Sequence, residues 1–487
     1  MHQLTRRGMI ASAAALVATP AAAAGARIEA EALAADARLL EAAYRALHPG
    51  LLRYNTPRQL AARFAALGQA FNRPQSQSQA LLALARFTAG IRCGHTYPNP
   101  YNQTDAAVAA LFGARDRLPF QFRWIGGRMV VLRDLTGEAG LKRGAEITTL
   151  NGEPTAGLLA DLMPLVRADG HNDAKRVNNL EVRGENRWDA FDLYLPLVRP
   201  GGGEQATLGV RDPDGRRRTV RVRLMTAAER QAAAPPAAEP NETDPIWRLE
   251  TQAGGIAVLT MPSWALYDSK WNWKAWLAEG MERLTADRAP ALVIDLRGNE
   301  GGEDCGDYIL PWLIETPLTP RTERRLTRYR KVPAELNPHL DTWDRSFRDW
   351  GAEASGPDAD GFYELAGEPG DVVQPAARRF GGRVFVLADA SNSSATFQFG
   401  QTIKENRLAT IVGQTSGGNR RGINGGAFFF LRLPGSGLEV DLPLIGRFPT
   451  TPQPDAGVEP DIAVRPTAAA IAEGRDLEMA AVMAALG

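Results

Sequence analysis

Residues 291–302, ALVIDLRGNEGG, join a short apolar run to a glycine-rich turn. A continuous apolar run of this length is typical of a strand that is buried on both faces of a parallel sheet. In the second half of the chain such runs alternate with helical patterns, the β-type runs at 254–262, 383–389 and 408–413 and the helical ones at 274–284 and 395–406. This alternation predicts an α/β domain with parallel strand pairing over residues 248–480.

The turn after the apolar run contains Gly301 and Gly302. At the carboxyl edge of a parallel sheet, such glycines can bring backbone N–H groups close to a developing negative charge. An ordinary tight turn is the alternative interpretation. A phosphate loop is excluded, since the chain has no G-x-x-x-x-G-K-[ST] pattern here.

A second polar turn follows the run at 383–389, in the stretch LADASNSSATFQFGQ at 387–401. Ser391, Ser393 and Ser394 crowd the start of the predicted helix. Serines at such a position are ordinary N-caps, but one of them could instead be a nucleophile if a base lies nearby.

Few histidines are available as that base. His95 lies in IRCGHTYPNP at 91–100, at the end of a helical run and before a proline-rich break. A catalytic group is often placed at the end of a rigid element in this way, although a lone histidine can equally have a structural role. The remaining histidines are His2, His48, His171 and His339.

The first half of the chain divides into regions that differ in composition and in the spacing of apolar residues. Alanine and leucine at helical spacing predict a helical domain over 26–118. The stretch 120–135 predicts two strands across a Gly126-Gly127 turn. Residues 140–152 carry a GL-x-x-G-x-x-I-x-x-x-N-G run that resembles PDZ domains, so a β-rich PDZ-like module with an insertion is expected over 119–228. A linker rich in alanine and proline follows at 229–247.

The first residues, 1–25, have the features of a secretory signal. Arg6 and Arg7 precede a short apolar stretch that ends in alanines, which predicts a twin-arginine export signal and a periplasmic or extracellular protein. No stretch of the sequence is apolar for long enough to predict a membrane span in the mature chain. The net charge is zero, which argues against a nucleic-acid partner held by bulk charge.

Three motifs in the second half together resemble the core of the C-terminal processing (tail-specific) and tricorn-type serine peptidases. They are VIDLRGNEGG at 293–302, LADASNSSATF at 387–397 and ATIVGQTSGG at 409–418, in that order. The resemblance implies a crotonase/ClpP-like α/β catalytic domain. It also implies that Ser394 is the nucleophile and that Gly301, Gly302 and the Ala395 N–H form the oxyanion hole.

The resemblance extends to the base. In the tail-specific branch a lysine serves, but its position here falls on Asn419, and the neighbouring arginines do not deprotonate near neutral pH. In the tricorn-like branch a histidine in an S-H-T or G-H-T context serves, and CGHT at 93–96 matches it. His95 is therefore the implied base, with Gly94 in the position where tricorn proteins carry serine.

The orienting acid and the two cysteines complete the predicted site. In QPDAGVEPD at 453–461, proline occupies the expected acid position, so Asp455 is the nearest carboxylate and Glu459 the alternative. Cys93 and Cys305 are the only cysteines. If the turns that carry them line one site in an exported protein, they are neighbours and could form a disulfide.

The sequence therefore predicts an exported serine peptidase that hydrolyses peptide or protein substrates through an acyl-enzyme. This chemistry requires no metal or organic cofactor, and no zinc signature occurs. Two alternatives remain at this point: a non-catalytic binding protein for an apolar ligand or a peptide, as in retinoid-binding relatives, and an esterase with the same nucleophile. The sequence does not determine the oligomeric state.

Overall fold

The computed structural model describes residues 27–234, 243–320, 323–366 and 372–487. The predicted signal peptide at 1–25 and the centre of the predicted linker lie outside the described residues. Within the described ranges, every helix is too short or too polar to cross a bilayer. The described part of the chain forms one set of helices and three six-stranded sheets.

Helices dominate the N-terminal region, as predicted. They are α1 (Ala30–Leu47), α2 (Pro57–Ala70), α3 (Gln77–Ile91) and α4 (Asp105–Phe112). Thr56 and Ser76 begin α2 and α3 with capping boxes, each of which satisfies two otherwise unpaired backbone N–H groups. Helix α3 ends at Arg92, whose left-handed backbone turns the chain into the loop that carries His95.

The first sheet is antiparallel, with strand order β1-β2-β3-β5-β6 and β4 paired with β3. The strands are β1 (Phe120–Ile125), β2 (Arg128–Asp134), β3 (Glu146–Leu150), β4 (Glu153–Pro154), β5 (Gln205–Arg211) and β6 (Arg217–Arg223). The predicted turn at Gly126-Gly127 joins β1 to β2, and a turn at 212–215 joins β5 to β6. Between β4 and β5 the chain forms α5 (Thr155–Leu162), α6 (Asp173–Asn179) and α7 (Ala190–Val198), and α8 (Ala227–Ala233) follows β6.

The predicted α/β sheet has the order β18-β15-β14-β9-β8-β7, and only its β7–β8 pair is antiparallel. Its strands are β7 (Arg248–Thr251), β8 (Ala257–Thr260), β9 (Ala291–Asp295), β14 (Arg383–Ala388), β15 (Thr410–Gly413) and β18 (Ile462–Ala463). The accompanying helices are α9 (Trp273–Ala286), α10 (Ser394–Asn406), α11 (Ala468–Glu473) and α12 (Leu477–Leu486). Because β9 and β14 are parallel neighbours, the turns that follow them meet at one sheet edge.

A third, antiparallel sheet has the order β11-β16-β17-β10-β13-β12. Its strands are β10 (Arg324–Thr327), β11 (Leu340–Asp341), β12 (Ala354–Ser355), β13 (Tyr363–Leu365), β16 (Asn424–Arg432) and β17 (Glu439–Phe448). Four short strands extend the β16–β17 hairpin. Buried residues of this hairpin share one core with the N-terminal helices, whereas most of the parallel sheet packs in separate cores. The hairpin therefore brings the loop that carries His95 towards the turns that follow β9 and β14.

Candidate active site

The turn between β14 and α10 presents Ser394 differently from its neighbours. Ser391 Oγ donates to the Asp389 carboxylate, and Ser393 Oγ donates to the carbonyl oxygen of Glu300 at 3.1 Å. Both serines are buried, whereas Ser394 is half-buried and its hydroxyl has no partner among the described residues. The structure thus leaves one hydroxyl of the three available for chemistry.

Ser394 is also the first residue of α10 and has a positive φ of 52°. A left-handed conformation is unfavourable for a residue with a side chain, and such strain is concentrated at functional sites. The side chain of Asn392 holds the turn in place, since its Nδ2 donates to the carbonyl oxygens of Leu296 and Asn299 at 2.6 and 2.9 Å. The turn at 389–394, called the nucleophile turn after the role predicted for Ser394, is therefore fixed directly against the glycine turn after β9.

The glycine turn approaches Ser394 more closely than any side chain would allow. A Cβ on Gly301 would lie 2.7 Å from the Ser393 carbonyl oxygen and 3.0 Å from the Ala395 nitrogen. A Cβ on Gly302 would lie 2.2 Å from the backbone of Trp264. Both glycines also have positive φ angles, so glycine is required at both positions.

The three predicted oxyanion donors are not equivalent. The Gly301 N–H donates to Asn299 Oδ1 at 2.9 Å and is therefore already used. The N–H groups of Gly302 and Ala395 have no acceptor among the described residues, and both residues line the same cavity as Ser394. Gly301 thus supplies close approach, and the two free donors belong to Gly302 and Ala395.

His95 lies across this cavity, on the loop after α3. Two hydrogen bonds attach its loop to β17: Thr96 Oγ1 donates to the Asp441 carbonyl oxygen at 2.8 Å, and the Asp441 N–H donates to the Tyr97 carbonyl oxygen at 3.0 Å. The ring packs against Phe428 with centroids 5.9 Å apart. Its Nδ1 is enclosed and has no hydrogen-bond partner among the described residues, which leaves Nε2 as the ring nitrogen open to the cavity.

The imidazole of His95 is neutral near physiological pH. Burial, together with the positive charges of Arg167 and Lys175, lowers the pKa of His95 to about 3. A neutral imidazole is the form that can accept a proton.

Asp455 does not orient His95, contrary to the prediction. Its carboxylate accepts from the backbone N–H of His171 at 3.0 Å and contacts Nδ1 of the same residue at 2.6 Å. Asn419 Nδ2 also donates to it at 2.7 Å. The alternative acid, Glu459, accepts from Thr415 Oγ1 at 2.8 Å. His171 lies in the segment between β4 and β5, which is the insertion in the predicted PDZ-like module. This insertion brings His171 to Asp455, so the carboxylate orients a different histidine.

Cys93 and Cys305 do not form the predicted disulfide, because both are free and buried. Cys93 packs in the core shared by the N-terminal helices and the β16–β17 hairpin, and its Sγ accepts from Asn424 Nδ2 at 3.2 Å. Cys305 packs in the core of the parallel sheet. Although both cysteines flank site residues, they point into different cores.

We therefore expect two free thiols that react only after unfolding. Burial raises the pKa of Cys93 to about 12 and the pKa of Cys305 still further, so the reactive thiolate is scarce. Titration with a thiol-specific chromogenic disulfide should detect almost no thiol in the native protein and two per chain in denaturant. Fewer than two in denaturant, rising to two after reduction, would show that a disulfide does form.

Gly94 is explained by its neighbour Asp169. The Gly94 N–H donates to Asp169 Oδ1 at 2.8 Å. A Cβ on Gly94 would lie 2.5 Å from Asp169 Oδ2. The carboxylate of Asp169 therefore occupies the space that a serine side chain would need.

Gly94→Ala should accordingly destabilise the protein by about 1–3 kcal/mol, the usual cost of overpacking a buried site. Gly68→Ala is the matched control, since it lies within α2 and a Cβ there would meet no atom within 4 Å. That control should be neutral or slightly stabilising through helix propensity. Urea unfolding of the two variants measures the difference, and equal stabilities would contradict the steric explanation.

Several residues of the site were not identified from the sequence. Lys175 Nζ lies 2.8 Å from Glu300 Oε1, and Arg167 lies 3.8 Å from the same carboxylate. Although burial opposes it, the charges of Lys175 and Arg167 hold the pKa of Glu300 below its usual range. Arg183 Nη1 donates to Asp389 Oδ2 at 3.0 Å. Glu300 and Asp389 lie within the quoted motifs, but no motif marks Arg167, Lys175 and Arg183, which the segment between β4 and β5 brings to the site.

The assembled site surrounds a cavity of about 280 Å³. Residues from the helical region, the insertion, the parallel sheet and the antiparallel sheet contribute to its wall, including His95, Arg167, Gly302, Ser394, Ala395, Phe428 and Asp441. A partly apolar pocket with a few converging polar groups is the usual form of a small binding or catalytic site. No group of three or more potential metal ligands occurs within the described ranges.

Comparison with known proteins agrees with this geometry. Residues 255–464 match the family model of peptidase family S41. No curated protein sequence matches the chain. Among solved structures, a CPAF mutant is 17% identical with a TM-score of 0.64, covering 91% of this chain and 94% of that chain. Mature CPAF complexed with lactacystin is also 17% identical, with a TM-score of 0.62 and coverage of 91% and 95%.

These structural likenesses establish the fold. The matched segment contains the glycine turn, the nucleophile turn and most of the cavity wall that the parallel and antiparallel sheets provide. Residues 255–464 are thus similar to peptidase family S41, and this match supports a serine-type peptidase.

Proposed function

We propose that the protein is an exported peptidase in which Ser394 is the nucleophile and His95 the general base. The observation that carries the proposal is the shared cavity wall: Ser394 and His95 are almost 300 positions apart in the sequence, yet both line one cavity with the free N–H groups of Gly302 and Ala395. Nucleophile, base and oxyanion donors are the parts that acyl transfer needs.

In the proposed mechanism, Ser394 Oγ attacks the carbonyl carbon of the scissile peptide bond while His95 Nε2 takes its proton. The N–H groups of Gly302 and Ala395 donate to the oxyanion that forms. The C–N bond then breaks as His95 returns the proton to the leaving amine, which leaves an acyl group on Ser394. Water, deprotonated by His95, hydrolyses this ester and regenerates the hydroxyl.

Because His95 Nδ1 has no hydrogen-bond partner among the described residues, we expect the proposed hydrolysis to be slower than with a complete triad. In a Ser-His-Asp arrangement, a carboxylate fixes the imidazole and stabilises its protonated form. Here no residue in the described part of the chain bonds Nδ1, and Asp455 is paired with His171. We therefore propose a dyad in which the packing of Phe428 and the attachment to β17 hold the ring in place of a carboxylate.

The proposed substrate is a peptide or protein with an apolar side chain next to the scissile bond. Aromatic and aliphatic residues form one wall of the cavity, namely Tyr267, Trp343, Ile423, Phe428 and Phe430. Trp343 packs against both Phe428 and Phe430, with ring centroids 5.8 and 5.9 Å apart. Peptide-library profiling should show enrichment of apolar residues at one position, and a uniform profile would oppose this assignment.

The sequence also supports a division of the chain into a signal peptide, a helical domain, a PDZ-like module and a catalytic domain. We propose that residues 26–118, 119–228 and 248–480 form the last three. The antiparallel first sheet with α5 packed beside it is compatible with the PDZ-like assignment. Fractionation of a tagged full-length chain tests the proposed export, which predicts the tag in the periplasm or the medium.

The activated serine is tested by labelling with a fluorophosphonate. Ser394 Oγ should displace fluoride from phosphorus and form a single adduct, read by intact mass and peptide mapping. The adduct should be absent in Ser394→Ala and strongly reduced in His95→Ala, but present in the turn variant Ser391→Ala. A folded wild-type protein that forms no adduct would favour the non-catalytic binding function instead.

A further inference from the structure

Lys175 is a buried lysine whose ammonium contacts both catalytic turns. It lies on α6, in the insertion between β4 and β5, and its side chain is only 5% exposed. Its Nζ donates to Glu300 Oε1 at 2.8 Å and to the carbonyl oxygen of Ser391 at 2.8 Å. Glu300 directly precedes Gly301 in the glycine turn, and Ser391 lies three residues before Ser394.

The two bonds therefore end on different elements. One fixes the turn that contains the oxyanion donor Gly302, and the other fixes the turn that contains the nucleophile. Ser393 Oγ adds a direct link, since it donates to the Glu300 carbonyl oxygen at 3.1 Å. Charge-assisted hydrogen bonds at this distance are among the stronger polar contacts in proteins.

Hydrogen bonds attach the segment that carries Lys175 to the first sheet. Val182 pairs with Phe122 at the edge of β1 through two backbone hydrogen bonds of 2.8 and 3.1 Å. Trp124 Nε1 donates to the Leu180 carbonyl oxygen at 2.9 Å. Beyond this pairing, Arg183 reaches Asp389 at the start of the nucleophile turn. The insertion thus runs from the edge of the first sheet to the catalytic turns.

The separation of these turns matters for catalysis. An oxyanion donor is effective only at about 2.7–3.1 Å from the charge that develops. A displacement of about 1 Å can reduce the rate roughly 10²-fold. A rigid cross-link between the turns would keep the donors and the nucleophile in register throughout the reaction.

We propose that Lys175 is a positioning residue, whose ammonium holds the oxyanion turn and the nucleophile turn at a fixed separation through Glu300 and the Ser391 carbonyl. It does not contact substrate and takes no part in proton transfer. This inference rests on the proposed function of Ser394. It makes the insertion an integral part of the active site.

The test compares Lys175→Met with Arg176→Met. Arg176 is the next residue of α6 and is similarly buried, but its guanidinium bonds Val166, Gly170 and Asp173 rather than a catalytic turn. Both variants lose a buried cation, so both should lose stability. Only Lys175→Met should lower kcat and the rate of fluorophosphonate labelling, by roughly 10²-fold, with KM changed less than about threefold.

A second variant separates positioning from charge. Lys175→Met with Glu300→Gln removes both members of the ion pair, so no uncompensated carboxylate remains buried. If Lys175 only neutralises Glu300, the double variant recovers the wild-type labelling rate, and the proposal is overturned. If Lys175 positions the turns, the double variant stays slow.

Amide hydrogen exchange gives a readout that does not require activity. Exchange in residues 296–302 and 389–395 should become faster in Lys175→Met than in Arg176→Met at equal temperature below both unfolding transitions. Equal exchange in the two variants would overturn the positioning role even if the wild-type serine proved unreactive. Faster exchange without wild-type labelling would instead refute only the proposed peptidase mechanism.

Discussion

Ser394→Ala should retain the fold and lose essentially all peptide hydrolysis, with kcat reduced by roughly 10⁴-fold or more. The substitution removes the only hydroxyl of the nucleophile turn that has no partner within the described ranges. It should leave KM nearly unchanged, because the wall of the cavity is untouched. Initial rates on a fluorogenic peptide, together with circular dichroism and thermal unfolding, measure both effects.

The neighbouring serines provide the matched controls. Ser391→Ala and Ser393→Ala remove hydroxyls that donate to Asp389 and to the Glu300 carbonyl oxygen. Each should cost about 0.5–1.5 kcal/mol of stability, the net value of one hydrogen bond. Each should reduce kcat far less than Ser394→Ala does. If Ser391→Ala abolished activity while Ser394→Ala retained it, the assignment of the nucleophile would be wrong.

His95→Gln should reduce kcat by about 10²–10⁴-fold, the usual contribution of general acid–base catalysis. Glutamine keeps a polar side chain of similar length in the cavity but cannot accept the serine proton. The effect should combine with Ser394→Ala non-additively, since the two residues act as one unit. A double variant that is slower than Ser394→Ala by the full single-variant factor would show that His95 acts independently of the serine.

The pH profile should reflect the burial of His95. Activity requires the neutral ring, so the acid limb follows the folded-state pKa of about 3 and should lie well below the ordinary histidine value of about 6.5. Burial raises the pKa of Asp441, in the same cavity, to about 7. A step near neutral pH that disappears in Asp441→Asn therefore belongs to that carboxyl, whereas a limb near 6.5 that persists would contradict the buried, neutral His95.

The same depressed pKa affects stability. Since the folded value lies below the unfolded one, the unfolded chain binds a proton at His95 that the folded chain does not. Its contribution to stability is therefore present above about pH 6.5 and is lost as the pH falls towards 3. Urea unfolding of wild type and His95→Gln across this range should show a weaker pH dependence in the variant.

Local sequence patterns were sufficient for the parallel sheet and for the two turns that follow β9 and β14. Apolar runs such as 291–295 identify buried strands because burial on both faces requires nearly every residue to be apolar. The close backbone approach at positions 301 and 302 can also be recognised in the sequence, because it excludes every side chain and therefore requires glycine. The choice of Ser394 over Ser391 and Ser393 came from the family resemblance, and the hydrogen bonds of the turn agree with it.

The wrong predictions concern the partners and the surroundings of individual side chains. Asp455 lies near the expected motif, but its carboxylate contacts His171 from the insertion and not His95. Cys93 and Cys305 flank the site, yet their side chains enter different cores. The Gly301 N–H, a predicted oxyanion donor, donates to the Asn299 side chain two residues before it. The residue types at these positions do not indicate which partner or which core each residue has.

By itself, the sequence determined the fold class and the two turns that follow β9 and β14, because strands and turns depend on residues within about ten positions of one another. The roles of Ser394 and His95 are predictions from the family resemblance. Only the tertiary structure decided which carboxylates, cations and N–H groups are free and which are paired. Lys175 illustrates the reason: its partners Glu300 and Ser391 lie 125 and 216 positions away. A buried charge without a partner is highly unfavourable, so each buried charge must be paired. Packing geometry, and not a local sequence pattern, determines which residue is its partner.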